Sequence, residues 1–170
     1  MLIRNIKEFL KVTLNKKLIC LDIGKKKIGI AISDHNHSLS FPLEVLIRNK
    51  EFLDKIRNII NNYSVGGIIV GQPLNEDGKV TRMSQTVSDI TKNIEQFLLK
   101  YNIDLPIFFW DESYTSLEAE DITKFLFKNY KHQKKNLDKF AAKVILDDFL
   151  RECLNSNENR GSCHAQRCQN

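Results

Sequence analysis

The sequence has no apolar run long enough to span a lipid bilayer, which argues against a transmembrane protein. Residues 1–17 are basic and lack the compact apolar core and small-residue cleavage site of a secretory signal. An organellar transit peptide is the alternative for this segment, and Glu8 counts against it because such peptides are poor in acids. The apolar residues of the segment have helical spacing and predict a short helix packed on the domain: Leu2, Ile6, Phe9 and Leu10.

Cysteine is also sparse, and its four positions do not form the pattern of a disulfide-stabilised secreted domain. Cys20 lies within a predicted strand, where a thiol packs as a small apolar group. Cys163 and Cys168, together with His164, have a spacing that matches no established zinc-ligand pattern. Reduced thiols and the lack of a secretory signal together predict a cytoplasmic protein.

The length and composition predict one domain. The chain has 170 residues, of which 42% are hydrophobic, and this is enough for an ordinary core. We expect the domain to occupy residues 18–152, after an N-terminal extension at residues 1–17. Residues 153–170 are polar, which predicts a flexible C-terminal tail. The formal net charge of +5 favours a polyanionic partner such as nucleic acid.

The hydrophobic pattern predicts an α/β fold. Residues 18–23, 28–32 and 43–47 have the composition of strands and predict a three-stranded antiparallel meander. Two uniformly apolar strands follow at residues 67–71 and 107–110, separated by stretches of helical period, as in parallel βαβ units. Two more helices follow, the first after Thr115 and the last from about Asn136 to Arg151. We therefore expect a mixed five-stranded sheet with helices on both faces.

Carboxylates occur at three distant places where apolar segments begin or end. Asp22 closes the first predicted strand, and the pair Asp111 and Glu112 closes the last one. Ligands bind beyond the carboxyl ends of strands in sheets of this type. Asp138 opens the last helix, on the stripe that should face the sheet: Asp138, Ala141, Ala142, Ile145 and Phe149.

Each acid also has an ordinary structural explanation. Asp22 could cap the turn before Gly24, Asp138 could complement the helix dipole, and Asp111 and Glu112 could be loop acids. If the acids from all three places lie close together, a bound divalent cation, Mg²⁺ or Mn²⁺, explains them better, because such ions prefer carboxylate oxygens as ligands. A two-ion site for phosphodiester hydrolysis fits this ligand set and needs no histidine, cysteine or serine nucleophile. Asp22 is the expected bridging ligand, and the residues alone do not choose between Asp111 and Glu112.

Lysines flank two of these acids. Lys25, Lys26 and Lys27 follow Asp22 directly. Two solvated lysine-rich loops are the ordinary interpretation, whereas beside a carboxylate cluster the same side chains could hold phosphates of a nucleic-acid strand. The hydroxyl of Thr115 could add a donor, although Thr115 is first a helix cap. The lysines near Asp138 that we predict as phosphate contacts are Lys134, Lys135 and Lys139.

The ordered set of motifs resembles the YqgF family of RNase H-like proteins. Four blocks between residues 18 and 150 carry the likeness: Leu-Asp-Ile-Gly with Ile-Gly-Ile-Ala, Val-Gly-Gln-Pro-Leu-Asn-Glu-Asp-Gly, Asp-Glu-Ser-Tyr-Thr-Ser, and Asp-Lys-Phe-Ala-Ala. The resemblance implies an RNase H-like sheet with Asp22, Glu112 and Asp138 in the acidic catalytic places. It also implies that the loop containing Asn75 guides the substrate. Ser113 departs from the family pattern, which usually has an arginine there.

The resemblance implies a metal-dependent endonuclease that processes the 5′ end of pre-16S rRNA, with ribosomal precursor particles as partners. The same site could instead cut branched DNA as a Holliday junction resolvase, which would require a two-fold dimer. A monomer and a homodimer both stay open. A catalytically idle nucleic-acid-binding module is another alternative, which the serine at position 113 leaves open. Actin-like ATPases share the Asp-x-Gly turn, but they need two such domains and the chain is too short.

Overall fold

The computed structural model describes residues 1–73, 81–111 and 137–161. The predicted loop at residues 72–79 is described only at its first two positions, and the predicted helix after Thr115 lies outside the described residues. The elements, in chain order, are α1 (Ile6–Val12), β1 (Lys17–Ile23), β2 (Lys27–Ser33), β3 (Ser40–Ile47), α2 (Phe52–Tyr63), β4 (Val65–Gln72), α3 (Arg82–Leu99), β5 (Ile107–Asp111) and α4 (Leu137–Gly161).

The strands form one five-stranded sheet in the order β3-β2-β1-β4-β5. β2 is antiparallel to both β1 and β3, whereas β1, β4 and β5 are parallel, so the predicted mixed sheet is confirmed. β3 starts at Ser40, earlier than the predicted residue 43, and includes Pro42. Proline is tolerated there because β3 is an edge strand with a register shift opposite Ile30 and Ala31.

The sheet is covered on both faces, as predicted. Alternate residues of β1 enter different cores: Ile19 and Leu21 pack with α2 and α3, whereas Leu18 and Cys20 pack with α1 and α4. The side chains of β4 also alternate between the two cores. Both of its faces are therefore buried, which explains why its sequence is apolar without alternation. Among the described elements, α2 and α3 thus cover one face of the sheet, and α1 and α4 cover the other.

The N-terminal residues form part of the domain. The predicted short helix is confirmed as α1, whose N-cap Asn5 accepts a hydrogen bond from the Lys7 amide at 2.9 Å. Phe9 is completely buried in the core beneath α4. The amide of Ile3 donates to the Ile107 carbonyl at 2.9 Å, so the start of the chain also lines the outer edge of β5.

Gly67 allows α1 to approach β4 closely, and Gly67→Ala is expected to destabilise the fold. An added Cβ would lie 2.6 Å from Thr13 Cγ2 and 3.0 Å from Phe9 Cζ. We expect the free energy of unfolding to fall by about 2 kcal/mol, the usual cost of overpacking a core. Chemical denaturation in urea measures the change.

Thr13→Ser is the matched second change, because it removes the methyl group that the new Cβ meets. The serine keeps the hydroxyl, which donates to the Phe9 carbonyl at 2.8 Å. In the double variant with Gly67→Ala, the loss should be smaller than the sum of the two single losses by about 1 kcal/mol. Strictly additive losses would show that the contact with Thr13 is not the cause.

α4 is longer than predicted. It continues past the predicted end at Arg151 as far as Gly161, so the first part of the predicted tail is helical. Cys153 lies on the buried side of this extension: it is only 4% exposed and packs in the same core as Phe149. Burial raises the pKa of the Cys153 thiol to about 12, which keeps it protonated and unreactive. Among the described residues, no helix is both long and apolar enough to cross a membrane.

Candidate active site

Asp22 lies near the carboxyl end of β1, on the face of the sheet that α1 and α4 cover. Leu18, Cys20 and Asp22 are alternate residues of one strand, so their side chains point to the same face of the sheet. Leu18 and Cys20 belong to the core on that face. The residue paired with Asp22 on β2 is Gly29. On the other side, Gly71 follows Val70, the partner of Leu21 on β4. Within the described sheet, the half-buried carboxylate therefore stands between two positions without side chains.

Asp111 lies on the opposite face of the sheet. It ends β5 and alternates with Ile107 and Phe109, which pack in the core beneath α2 and α3. Its partner on β4 is Gln72. Within the described part of β5, the carboxylate of Asp111 therefore points away from the face that holds Asp22.

The stripe of α4 that begins at Asp138 covers the Asp22 face, as predicted. Ala142 and Phe149 are completely buried in the core on that face, Ile145 is 5% exposed, and Ala141 is half-buried. Of Asp138 and Lys139 the structure describes the backbone, which forms the first turn of the helix. The helix that carries Asp138 thus lies on the same side of the sheet as Asp22.

Arg48 braces the turn that follows Asp22, and the sequence did not single it out. Its guanidinium donates to the carbonyls of Gly24 at 3.0 Å and Lys25 at 2.9 Å. Its backbone amide donates to the Lys26 carbonyl at 2.9 Å. The turn is fixed in a shape that leaves the Lys25 and Lys26 side chains exposed at the Asp22 end of the sheet. Arg48 could have been found from the sequence only by predicting the register of β3 on β2, in which Ile47 pairs with Lys27.

Two adjacent acids tie α4 to the two edge strands. Asp147 accepts a hydrogen bond from the Ser40 hydroxyl at the start of β3 and pairs with Lys143 on its own helix. Asp148 accepts a hydrogen bond from the indole Nε1 of Trp110 on β5, at 3.1 Å. Sequence patterns did not indicate the contacts with Ser40 and Trp110, since each one joins residues far apart in the chain.

Several predicted site residues lie outside the described residues: Glu112, Asn75, Thr115, Lys134 and Lys135. Among the side chains that the structure describes, no three histidine, cysteine, aspartate or glutamate residues lie together as metal ligands. Because Glu112 is not among those side chains, this result leaves the predicted set of Asp22, Glu112 and Asp138 untested. Lys27 is half-buried, unlike the exposed Lys25 and Lys26.

A family model described as "RuvX: Holliday junction resolvase" matches residues 16–152. The chain belongs to the RuvX family. RuvX and YqgF are names of the same family, so the predicted resemblance is confirmed. The match covers the whole sheet and α4 as far as residue 152. A relative from Pelagibacter ubique is 36% identical over 146 residues, which cover 83% of this chain and 93% of the relative. One from Orientia tsutsugamushi is 34% identical over 160 residues, covering 92% and 98%. Both are named "Putative pre-16S rRNA nuclease".

A solved structure shows the same fold as this RuvX-family chain. Thermus thermophilus RuvC, in a complex with a Holliday junction substrate, superposes with a TM-score of 0.52 and 8% sequence identity. The match covers 81% of this chain and 96% of RuvC. The predicted RNase H-like α/β fold is therefore confirmed. At this identity the likeness carries information about the fold and none about individual residues.

Proposed function

We propose that the chain is a metal-dependent endonuclease that cuts structured nucleic acid and processes the 5′ end of pre-16S rRNA. Membership of the RuvX family confirms the predicted enzyme class, a nuclease. The names of the relatives support the rRNA substrate. The observation that carries the catalytic part is the shared location of Asp22 and the buried stripe of α4 on one face of the sheet.

The residues at this end of the sheet fit a divalent cation. Asp22 is a half-buried carboxylate between two glycine positions on the neighbouring strands, and carboxylate oxygens are the ligands that Mg²⁺ and Mn²⁺ prefer. We propose that Asp22, Glu112 and Asp138 hold Mg²⁺ or Mn²⁺, as one ion or as two. The bound ion would supply charge to the phosphoryl oxygens and acidify the attacking water. The carboxylates would hold the ion in place and orient that water.

The lysine-bearing turn supports binding of the substrate backbone. Arg48 holds the turn in one shape, so Lys25 and Lys26 can contact phosphates with less loss of backbone freedom. We propose further contacts from Lys27, Asn75, Thr115, Lys134, Lys135 and Lys139. The expected setting is the cytoplasm, with ribosomal precursor particles as partners and a monomer or a homodimer as the active form.

The substrate experiment compares labelled pre-16S rRNA with a four-way DNA junction, each with Mg²⁺, Mn²⁺ or EDTA. We expect metal-dependent cleavage of the RNA at defined positions and no cleavage in EDTA. The family description favours the junction as a second candidate substrate. Paired symmetric cuts in the junction, with the RNA left intact, would support a dimeric resolvase. Tight binding without cleavage under every metal condition would contradict the nuclease proposal and support the idle module.

A further inference from the structure

Trp110 lies at the same level of the sheet as Asp22. Leu21 pairs with Val70, and Val70 pairs with Phe109, so Asp22, Gly71 and Trp110 are the next residues on three neighbouring strands. With strands roughly 4.8 Å apart, the Cα atoms of Asp22 and Trp110 are separated by about 10 Å. Gly71 has no side chain to fill the interval. Among the described residues of the sheet, the indole is therefore the next side chain across β4 from Asp22 on this face.

The same indole fixes α4 in two directions. Its ring packs edge-on against Phe149, with 5.4 Å between ring centroids, and this contact presses the helix onto the sheet. Its Nε1–H donates to Asp148 Oδ2 at 3.1 Å, and a directional bond to a carboxylate fixes the height and rotation of the helix. Trp110 and Asp148 thus join β5, which precedes Glu112 in the sequence, to the helix whose first turn carries Asp138.

The first turns of α4 need such an anchor, because small side chains pack there. Ala141 and Ala142 have no side-chain atoms beyond Cβ, so they contribute less than a larger side chain would to resisting sliding or rotation of the helix. The neighbouring anchor, Asp147 with Ser40, holds the helix to β3 at the other edge of the sheet. Between α4 and β5, the ring contacts on Phe149 are apolar, and the hydrogen bond from Trp110 adds a directional contact to them.

We propose that Trp110 and Asp148 are positioning residues that hold the α4 acid and the acid after β5 at the separation a divalent ion requires. This inference rests on the proposed metal-dependent function. Partners that orient metal ligands without touching the metal usually change metal affinity by 10- to 100-fold when they are removed. Loss of the hydrogen bond should therefore weaken metal binding far more than it weakens the fold.

The test compares three single variants of the full chain: Asp148→Leu, Asp148→Asn and Trp110→Phe. Asp148→Leu removes the acceptor, and Trp110→Phe removes the donor while keeping an aromatic ring. Asp148→Asn keeps an oxygen that can accept from the indole, so it serves as the matched control. Calorimetry with Mn²⁺ alone measures metal affinity without requiring cleavage. Trp110 is the only tryptophan of the chain, so its emission reports directly on the contact in both Asp148 variants.

We expect Mn²⁺ affinity to fall about tenfold in Asp148→Leu and Trp110→Phe and to stay within about threefold in Asp148→Asn. Trp110 emission should shift in Asp148→Leu and return towards the wild-type spectrum in Asp148→Asn. Wild-type affinity in both disrupting variants would overturn the positioning role and leave the nuclease proposal intact. Failure of the wild-type protein to bind Mn²⁺ would overturn both. If Asp148→Leu does not fold, Trp110→Phe and Asp148→Asn still decide the question.

Discussion

Asp22→Asn is expected to lower the rate of RNA cleavage by about a thousandfold, the usual effect of removing a group that organises charge at the reacting centre. The change is nearly isosteric, and the neighbouring position on β2 is Gly29, so no packing contact should be disturbed. The loss should arise from the missing negative charge, since an amide is a much poorer ligand for a hard cation than a carboxylate. Single-turnover cleavage of labelled pre-16S rRNA at saturating Mg²⁺ measures the effect.

Asp89→Asn is the matched control for this variant. Asp89 is exposed on α3, which covers the opposite face of the sheet, and it accepts a hydrogen bond from Gln85 that an asparagine can also accept. We expect its cleavage rate to equal that of the wild type. Asp22→Asn should unfold at about the temperature of the wild type, because asparagine keeps the size and shape of the aspartate side chain. Near-normal cleavage by correctly folded Asp22→Asn would remove Asp22 from the mechanism.

The sequence predicted the elements of the sheet because their hydrophobic periods differ from those of the helices. It also placed Asp22 correctly at the end of a buried strand. The errors have identifiable causes. Pro42 made the start of β3 look like a break, although an edge strand tolerates a missing amide donor. Because the residues after Arg151 are mostly polar, the end of α4 was predicted too early; the helix includes the buried Cys153 and reaches Gly161.

Which face each acid occupies could not be predicted, because β1, β4 and β5 are apolar on both sides. In a strand with one solvated face, the polar residues mark that face and the alternation can be followed to its end. Here Phe108 and Phe109 are equally apolar, yet they enter different cores. Two sets of contacts were not predicted for a related reason. The contacts of Arg48 depend on the strand register, and the contact between Trp110 and Asp148 depends on the position of α4.

The choice between the two neighbouring acids after Trp110 yields the last prediction: Glu112→Gln should abolish cleavage, and Asp111→Asn should not. Asp111 points to the face of α2 and α3, away from Asp22. An extended chain alternates sides at each residue, so a chain that continued extended past β5 would return to the Asp22 face at position 112. We therefore expect a loss of at least about a hundredfold for Glu112→Gln and of less than about threefold for Asp111→Asn.

The two variants control for each other, because each replaces one carboxylate by an amide at adjacent positions. Both should keep the wild-type urea midpoint, and Mn²⁺ affinity should fall only in Glu112→Gln, because that variant would lose the proposed metal-binding carboxylate. The reverse order of effects would mean that the chain turns at Asp111 and brings that carboxylate around the end of β5. Equal, large losses would mean that both acids serve the site. Either outcome would overturn the assignment of Glu112 as the only ligand from this pair.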